Sequence, residues 1–358
     1  MRILQVTEAA GAGTLRIVEV LSAGLARAGC EVTVAHGQRP ETPPTLGSEP
    51  DTRFAVVPLD WGRRTPAAQI RALRQLRRLV SSFRPDVVHL HSTFAGLVGA
   101  ALGSSHPRVY TPHGWASSYR DWRHQQLVGS ALDRLVIRRC DLVGVVSEVE
   151  AEAARRLGAR RITVVPNGVP ELDAAGSVTT SGPKADLVVA GGRLVASRRP
   201  AEAGRILRAV QEVAETRWIG GGGSAELADA LGAAGIAVTG WLPHAEALDH
   251  LDGAVAYLHW SAFDAQSVAV LEAMARDVVV VASDIPANRE LLPPAQLFST
   301  EEGAAQMLRR VVRDPGLRGE LVAAQRARGA AHGAERMVQG WVDAYRYATG
   351  ADAEPARA

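Results

Sequence analysis

The chain has 358 residues, of which 47% are hydrophobic and 22% are charged. This composition is typical of a globular protein, and the length favours two domains that each bury a core. The formal net charge is only +2, which gives no basis for nucleic-acid binding, so no nucleic-acid partner is expected.

The first half of the chain alternates short apolar segments with amphipathic ones. Strands are predicted at residues 2–6, 31–35, 86–90, 109–111, 142–146 and 162–165. Helices are predicted at residues 14–28, 67–83, 120–139 and 148–157. Alternation of strands and helices is typical of a parallel α/β sheet, and this first domain is expected to span residues 1–170.

Residues 171–184 consist mostly of Ala, Gly, Ser, Thr and Pro without an apolar period, so they are interpreted as a linker. A second α/β pattern follows at residues 185–334. Its strands are predicted at residues 187–190, 217–219, 237–239, 255–258 and 278–282, and its helices at 200–214, 226–234, 245–251 and 268–275. A last helix is predicted at about 335–348, before a flexible tail at 349–358. Two such sheets joined by a hinge predict a ligand site at the carboxyl ends of their strands.

Residues 3–6 are already strand-like, and no apolar run approaches the ~18 residues that a membrane-spanning helix requires. We therefore expect a cytoplasmic protein. The predicted helix at residues 69–79 carries a basic face, which could contact anionic lipid peripherally at the inner membrane face. An ordinary surface helix is the favoured alternative. The sequence leaves the oligomeric state open.

A glycine-containing loop at residues 8–14 follows the first strand and opens a helix. Amide groups at such a helix start can bind an anion, which makes Gly13 a candidate contact for the ligand. The loop does not fit a dinucleotide fingerprint, because Arg16 stands at the third glycine position and Glu31 begins the second strand when it should end it. A plain tight turn and a direct phosphate contact both remain open.

Histidines end two consecutive strands of the first domain. His91 and Ser92 end one strand, and His113 follows the next, with Gly114 and Trp115 directly after it. A histidine at a strand end can hydrogen-bond sugar hydroxyls or a leaving group at neutral pH. One such histidine would more often be structural, but two strand ends together favour a function. His113 is the stronger candidate because Gly114 permits close approach to the backbone.

A basic loop follows the first strand of the second domain. Gly192 begins it, and Arg193 and Arg198 are spaced so that both guanidinium groups could reach one diphosphate. A solvated basic loop is the alternative. Another glycine turn, at residues 220–223, contains Gly221 and is predicted to line the same wall of the site.

The most specific pattern lies at residues 261–275. Ser267 is predicted to cap a helix that begins at Val268, and the helix dipole would face an anion. Asp264 precedes this helix and Glu272 lies inside it, where carboxylates can bind vicinal hydroxyls of a sugar or ribose. A buried Glu272 in an apolar helix would require a partner. An exposed helix with incidental acids is the alternative.

Taken together, residues 86–92, 110–114, 192–194 and 271–275 resemble the family 4 glycosyltransferases in sequence, order and spacing. The resemblance covers nearly the whole chain. It implies the GT-B fold, in which two Rossmann-like α/β domains face each other across a cleft, and a retaining transfer. It further implies that Arg193 and Arg198 bind the donor diphosphate, that Glu272 binds the ribose, and that the first acid of a Glu-x7-Glu pattern approaches the sugar.

In this sequence that first acid is Asp264, which is one methylene shorter than Glu. Residues 265–266 are Ala-Gln where the family has Gly-Phe, and Arg198 stands where Lys is usual. These departures affect the expected contact with the transferred sugar. The resemblance also implies that His113 orients that sugar, and that the helix around Trp341 packs back on the first domain.

The leading hypothesis is transfer of a hexosyl group from a UDP- or GDP-sugar to a glycan, lipid-linked or small-molecule hydroxyl. Catalytic roles are expected for His113, Asp264, Arg193 and Arg198, and acceptor contacts for His91, Ser92 and Trp115. No Asp-x-Asp pair is present, so neither a metal nor another cofactor is expected, and the nucleotide sugar is a co-substrate. The alternatives are a catalytically degenerate nucleotide-binding partner of another transferase and a nucleotide-sugar epimerase.

Overall fold

The computed structural model describes residues 1–39, 42–43, 46, 53–62, 65–103, 105–118, 123–172 and 185–351. The chain divides into two compact units, one of Met1–Asn167 with Ala334–Ala358 and one of Gly168–Gly333. Residues 173–184 of the predicted linker and residues 352–358 of the predicted tail lie outside the described residues. Both units have a parallel sheet, which confirms the predicted α/β class.

The first unit contains a seven-stranded sheet in the order β3-β2-β1-β4-β5-β6-β7. Its strands are β1 (Arg2–Thr7), β2 (Glu31–His36), β3 (Ala55–Pro58), β4 (Val87–His91), β5 (Arg108–Thr111), β6 (Leu142–Val145) and β7 (Ile162–Val164). The helices between them are α1 (Ala12–Arg27), α2 (Pro66–Phe83), α3 (Thr93–Ala100), α4 (Arg123–Ile137) and α5 (Glu148–Leu157).

The strand order reverses between β1 and β4, and this reversal positions the polar groups of the unit. Open α/β sheets bind ligands at such a switch point, outside the carboxyl ends of the strands. All five residues of β4 are buried, including His89 and His91, because helices cover both faces of a parallel sheet. The register pairs Gln5 of β1 with His89 and Thr7 with His91.

The second unit contains a six-stranded sheet in the order β10-β9-β8-β11-β12-β13. Its helices are α6 (Pro200–Arg208), α7 (Ala225–Ala233), α8 (His244–Asp252), α9 (Val268–Ala275), α10 (Pro286–Leu291), α11 (Glu301–Arg313) and α12 (Pro315–Gly329). Its strands are β8 (Leu187–Gly191), β9 (Glu215–Ile219), β10 (Ala237–Val238), β11 (Ala256–His259), β12 (Val279–Ser283) and β13 (Leu297–Phe298). The order reverses between β8 and β11, which places a second switch point there.

Several elements differ from the sequence-based prediction. Helix α6 ends at Arg208, six residues before the predicted end. Residues 209–213 form turns instead, with backbone hydrogen bonds between residues that are three apart in sequence. Helix α3 was not predicted because its sequence, Thr-Phe-Ala-Gly-Leu-Val-Gly-Ala, has no polar face. The short strands β3 and β13 and helices α10 to α12 were also not assigned.

The last helix, α13 (Ala334–Thr349), packs on α1, β4 and β5 of the first unit. Its Trp341 and Tyr345 side chains are buried there. The indole ring lies over Gly144 of β6, where a β-carbon would collide with it, so this strand position requires glycine. Helix α13 therefore supplies two aromatic residues to the core around His89. None of the helices in the described part of the chain is long and apolar enough to cross a bilayer.

Candidate active site

Four polar side chains meet at the carboxyl ends of β8 and β11 in the second unit. Arg198 Nη1 donates to Asp264 Oδ2 at 2.6 Å and to Ser261 Oγ at 3.1 Å, and it lies 3.4 Å from His259 Nε2. His259 Nε2 lies 3.2 Å from the same carboxylate oxygen. The structure thus brings together Arg198 and Asp264, which the sequence predicted to share a site, and adds His259 and Ser261.

The protonation states of this cluster follow from burial and charge. Burial alone would raise the pKa of Asp264, but the Arg198 guanidinium and the hydrogen bond from His259 outweigh it and hold that pKa well below its usual value. Burial lowers the pKa of His259, although Asp264 partly opposes this. At neutral pH the cluster is therefore an Arg198–Asp264 ion pair with a neutral imidazole that donates to the carboxylate.

The loop from β8 holds Arg198 in place. Gly192 has φ of +116°, and a β-carbon there would stand 3.8 Å from Arg198 Nε, so the guanidinium runs beside the glycine. Ala262 N donates to Ser197 O at 2.8 Å, which joins this loop to the one after β11. Arg193 is exposed on the same loop.

The glycine turn at residues 220–223 adjoins the basic loop. Leu194 N donates to Gly222 O at 3.1 Å, and Gly220 N donates to Thr239 Oγ1 at 3.0 Å. Gly221 is buried between them. The turn thus connects the ends of β8, β9 and β10.

Helix α9 presents its N-terminus in the same unit. The Ser267 hydroxyl accepts from Val270 N at 3.4 Å, so the predicted cap is confirmed. The amides of the first turn, from Val268 onward, have no acceptor within the helix. Glu272 is buried in the middle of α9, and its Oε1 lies 2.7 Å from Nε2 of His244, the first residue of α8. His244 is the partner that a buried carboxylate requires.

In the first unit, three non-glycine residues adopt left-handed backbone conformations in segments that follow strands. Ala12, Ser92 and His113 have φ of 51°, 84° and 50°. Ser92 directly follows β4, His113 lies in the loop after β5, and Ala12 begins α1, the helix after β1. Each such conformation costs about 1–3 kcal/mol and tends to occur at functional sites. Gly13 follows Ala12 in the uncapped first turn of α1. Ser92 Oγ lies 3.4 Å from a carboxylate oxygen of the buried Glu8.

His91 and His113 form a hydrogen-bonded pair at the ends of β4 and β5. His91 Nδ1 lies 2.9 Å from His113 Nε2. Burial lowers the pKa of His113 to about 4, and it also lowers the pKa of His91 well below its usual value. Both rings are neutral at pH 7, so His113 is suited to orienting a hydroxyl group and poorly suited to strong base catalysis.

The burial of His91 and Trp115 corrects the direct acceptor contacts expected for them. Each residue is only 1% exposed, which leaves neither ring a surface that an acceptor could reach. The Trp115 indole donates to Glu150 O at 3.3 Å and packs edge-on against Tyr110, so it belongs to the core. His91 instead contacts His113, which is half-buried.

Sequence reasoning missed Glu150, which anchors the loop that carries His113. The buried Glu150 carboxylate accepts from Gly114 N at 2.8 Å and from Val146 N at 3.2 Å. Its spacing after Ser147 is that of a capping box, which marks a helix start but does not reveal the bond to Gly114. His259 had a readable signal, since it is a polar residue at the end of an apolar strand, as His91 is.

Among the residues that the structure describes, no group of three or more His, Cys, Asp or Glu side chains could hold a metal ion. The charged side chains at the second switch point are arranged around a guanidinium group. An anion is the ligand that such a group and a helix N-terminus favour.

Two parallel α/β units with polar sites at their switch points define a GT-B fold of two Rossmann-like domains. The sequence model of "Glycosyltransferase Family 4" matches residues 12–171, and that of "Glycosyl transferases group 1" matches residues 185–314. The chain belongs to the family 4 glycosyltransferases of the group 1 type. No curated protein sequence matched it.

Solved structures share this fold at low sequence identity. Sucrose-phosphate synthase from Thermosynechococcus elongatus is 17% identical, with a TM-score of 0.80, over 98% of this chain and 100% of that one. HepE from Anabaena, in complex with UDP and glucose, is 15% identical, with a TM-score of 0.78, over 97% and 100%. A glycosyltransferase from Rickettsia africae is 14% identical, with a TM-score of 0.70, over 97% and 98%.

Proposed function

We propose that this glycosyltransferase moves a hexosyl group, with retention of configuration, from a UDP- or GDP-sugar to a hydroxyl acceptor. The observation that carries the proposal is the arrangement at the second switch point, where Arg198, Asp264 and the α9 N-terminus lie together in a family 4 chain. The similar HepE structures contain UDP, glucose and UDP-glucose, which supports a nucleotide sugar as donor.

In this proposal the unit of residues 168–333 binds the donor. Negative charge develops on the departing diphosphate, and Arg193, Arg198 and the first amides of α9 stabilise it. Arg198 is held in one orientation by its bonds to Asp264 and Ser261, so little reorganisation is needed when a phosphate arrives. These groups supply the positive charge without a metal ion or another cofactor.

Glu272 is proposed to bind the ribose hydroxyls of the donor. A carboxylate has lone pairs enough to accept from two vicinal hydroxyls, and the His244 contact at 2.7 Å fixes its orientation from one side. Because Glu272 is buried, a hydroxyl pair that reached it would be shielded from water. This makes Glu272 a determinant of nucleoside binding.

The first unit is proposed to serve the acceptor side, with His113 binding a hydroxyl of the sugar. Its low pKa makes His113 a hydrogen-bonding group at neutral pH and a poor general base. In this proposal the leaving phosphate, on the same face of the sugar, assists the acceptor hydroxyl instead. Ser92, with its left-handed backbone, is proposed as a further contact. The acceptor is a glycan, a lipid-linked sugar or a small-molecule alcohol.

A donor panel tests this function. Purified protein is incubated with UDP- and GDP-hexoses, with and without candidate acceptors, and nucleotide release is measured. We expect release with one donor class, insensitivity to chelators, and UDP or GDP affinity that falls about tenfold or more in Glu272→Gln. The matched control is Glu246→Gln, an exposed glutamate of α8. Absence of both nucleotide binding and release would refute the proposal.

One observation favours a second candidate, a degenerate nucleotide-binding partner of another transferase. Asp264 is engaged by Arg198 and His259 inside the unit, and its shorter side chain stands where the family carries Glu. A carboxylate held in this way has less reach toward a sugar. The second candidate predicts nucleotide binding without turnover, which persists after Asp264→Glu, whereas the first predicts turnover in the unmodified protein.

A cytoplasmic location with peripheral contact to anionic lipid is also proposed. Helix α2 buries Ala72 and Leu76 and exposes Arg74, Arg77 and Arg78. A cavity of about 400 Å³ at the amino ends of β4 and β5 has a basic lining that includes Arg77, Arg84 and Arg108. Anionic groups would be attracted to both features.

Sedimentation with phosphatidylcholine vesicles, with and without phosphatidylglycerol, tests the lipid contact. We expect binding only to the anionic vesicles and its loss in Arg74→Glu/Arg78→Glu. Arg336→Glu, at an exposed position of α13, is the control. Binding that ignores lipid charge would remove the proposal.

A further inference from the structure

A continuous chain of hydrogen bonds runs from His113 into the core of the first unit. His113 Nε2 lies 2.9 Å from His91 Nδ1, and His91 Nε2 lies 2.6 Å from Gln5 Oε1. The imidazole planes of the two histidines differ by only 19°, and their centroids are 5.2 Å apart, so the rings meet edge to edge in the geometry of an in-plane hydrogen bond. Gln5 and His91 are both buried.

The chain of hydrogen bonds continues to helix α13. Gln5 Nε2 donates to the Tyr345 hydroxyl at 3.1 Å, and that hydroxyl lies 2.7 Å from His89 Nδ1. His89 Nε2 lies 2.8 Å from Thr111 Oγ1. Four of the linked side chains, those of Gln5, His89, Thr111 and Tyr345, are completely buried. Residues that are 340 positions apart in sequence are therefore connected within one network.

The positions of the protons follow from which atoms can donate. Gln5 Oε1 only accepts, so His91 Nε2 carries a proton. A neutral imidazole has one N–H, which makes His91 Nδ1 an acceptor and His113 Nε2 its donor. His113 Nδ1 is then unprotonated. Across the described residues His113 has no other hydrogen-bond partner, so this nitrogen has its lone pair available to a ligand.

The remaining hydrogen bonds of the network agree with this assignment of donors and acceptors. The Tyr345 hydroxyl accepts from the Gln5 amide and donates to His89 Nδ1, so His89 Nε2–H donates to Thr111 Oγ1. Burial raises the pKa of Tyr345 and lowers that of His89, which keeps the first protonated and the second neutral. Reversal would require the Gln5 amide to rotate and all five hydrogen bonds to change direction together.

We propose that Gln5 and Tyr345 are positioning residues that hold His113 as the Nε2–H tautomer, so that its Nδ1 accepts a hydrogen bond from a hydroxyl of the substrate. The direction of the hydrogen bonds thus determines which group His113 presents to a ligand. An unprotonated Nδ1 favours a hydroxyl group, which can donate, over a group that can only accept. The assignment of that hydroxyl to a sugar rests on the proposed function, whereas the tautomer does not.

Nitrogen-15 NMR of the histidine rings tests the tautomer without any ligand. Long-range proton–nitrogen correlations distinguish a protonated ring nitrogen from an unprotonated one. We expect His113 with Nε2 protonated and Nδ1 unprotonated in the unmodified protein. In Tyr345→Phe the Gln5 amide loses its acceptor and can rotate, so a mixture of both tautomers is expected. Gln5→Met, which removes the acceptor for His91, should give the same result if Tyr345→Phe does not fold.

The control is Tyr347→Phe, which removes a hydroxyl from the same helix outside the network. The Tyr347 ring packs under the Arg161 guanidinium at 4.0 Å. We expect this variant to keep the tautomer of the unmodified protein. A merely structural role of Tyr345 would destabilise the fold but leave the His113 tautomer unchanged in the folded fraction.

Kinetics with UDP-glucose as the probe supply the second measurement. Loss of one hydrogen bond corresponds to a fall in kcat/KM of about threefold to tenfold in Tyr345→Phe. The Kd for UDP alone, which has no sugar, should not change. An Nδ1–H tautomer in the unmodified protein, or an unchanged tautomer in whichever network variant folds, would overturn the proposal. Failure of UDP-glucose turnover in the unmodified protein would refute only the function with that donor, because the tautomer is measured independently.

Discussion

The two switch points have the same topological position, but the hydrogen-bonded network at His113 and the cluster at Arg198 differ in charge. In the first unit, Gln5, His91 and Tyr345 belong to a buried network in which every member is neutral. In the second unit, Arg198 and Asp264 form a partly buried ion pair. A neutral network gives directional hydrogen bonds that hold one group in place, whereas a fixed charge pair can stabilise an incoming anion. One fold thus holds a neutral hydrogen-bonded network in one unit and an ion pair in the other.

This contrast extends to the response to acid. Folded His113 has its pKa lowered to about 4 from 6.5, so the unfolded chain binds protons first, and stability falls as the pH drops from about 6.5 toward 4. Asp264 has its pKa lowered from 3.8, so its contribution is present above about pH 4 and is lost below it. The His113 site is therefore sensitive to mild acid, whereas the Arg198–Asp264 ion pair is lost only in strong acid.

The largest expected effect comes from removing the aromatic residue that packs against the neutral network of the first unit. Trp341→Ala deletes a buried indole that packs against His89 with ring centroids 4.3 Å apart. We expect the free energy of unfolding, from urea titrations, to fall by about 3–5 kcal/mol. Trp241→Ala, at a position that is 40% exposed, is the matched control and should change it by less than ~0.5 kcal/mol. A loss for Trp341→Ala as small as that of the control would show that α13 contributes little to the stability of the unit.

Breaking the Arg198–Asp264 ion pair of the second unit ranks second. Arg198→Ala leaves the Asp264 carboxylate, whose side chain is 12% exposed, without its cation. We expect a loss of about 2 kcal/mol, because hydrogen bonds to charged groups contribute about 1.5–3 kcal/mol. The double variant Arg198→Ala/Asp264→Ala should recover part of the loss, since the unpaired charge is gone. Strict additivity would contradict the coupling.

A change of pH distinguishes His113 from Asp264 by a smaller amount. Between about pH 7.5 and pH 5.5, His113 alone should lower the free energy of unfolding by about 1 kcal/mol, since its ring protonates in the unfolded chain first. His113→Asn should show a smaller drop over the same range, measured by urea titration at each pH. Asp264→Asn should retain the full drop. An unchanged pH slope in His113→Asn would mean that other buried histidines dominate.

The smallest effect is expected for an ion pair on the surface of the second unit. Arg205 donates to Glu301 through two bonds of 2.8 and 2.6 Å, but both side chains are largely solvated. Arg205→Ala should not measurably shift the midpoint of urea unfolding, because exposed pairs contribute little and salt screens them. A loss as large as that of Arg198→Ala would show that burial is not what distinguishes the two pairs.

Features encoded by neighbouring residues could be predicted from the sequence. Ser267 was recognisable as a cap because the hydroxyl bonds an amide only three residues away. The parallel α/β class followed from apolar periodicity, which is also local. Helix α3 escaped prediction because both of its faces are apolar, so periodicity carried no signal there. Arg198 and Glu272 were recognisable as candidates by residue type and by resemblance to the family.

Partners that are distant in the chain could not be predicted. The sequence showed that a buried Glu272 needs a partner, but His244 stands 28 residues earlier, at the start of another helix. The pairing of Arg198 with Asp264 spans 66 residues and depends on the pairing of β8 with β11 as neighbouring parallel strands. Glu150 reaches Gly114 only because α5 packs beside the end of β5.

By itself the sequence determined the α/β class, the helix cap at Ser267 and the residue types from which an anion site can be built. Only the tertiary structure decided that Asp264 is paired with Arg198, that Trp115 is a core residue, and that Tyr345 connects through Gln5 to His113. The physical reason is range: periodicity and capping act over a few residues, whereas hydrogen bonds and burial join whatever residues the packing of strands and helices brings within a few ångströms.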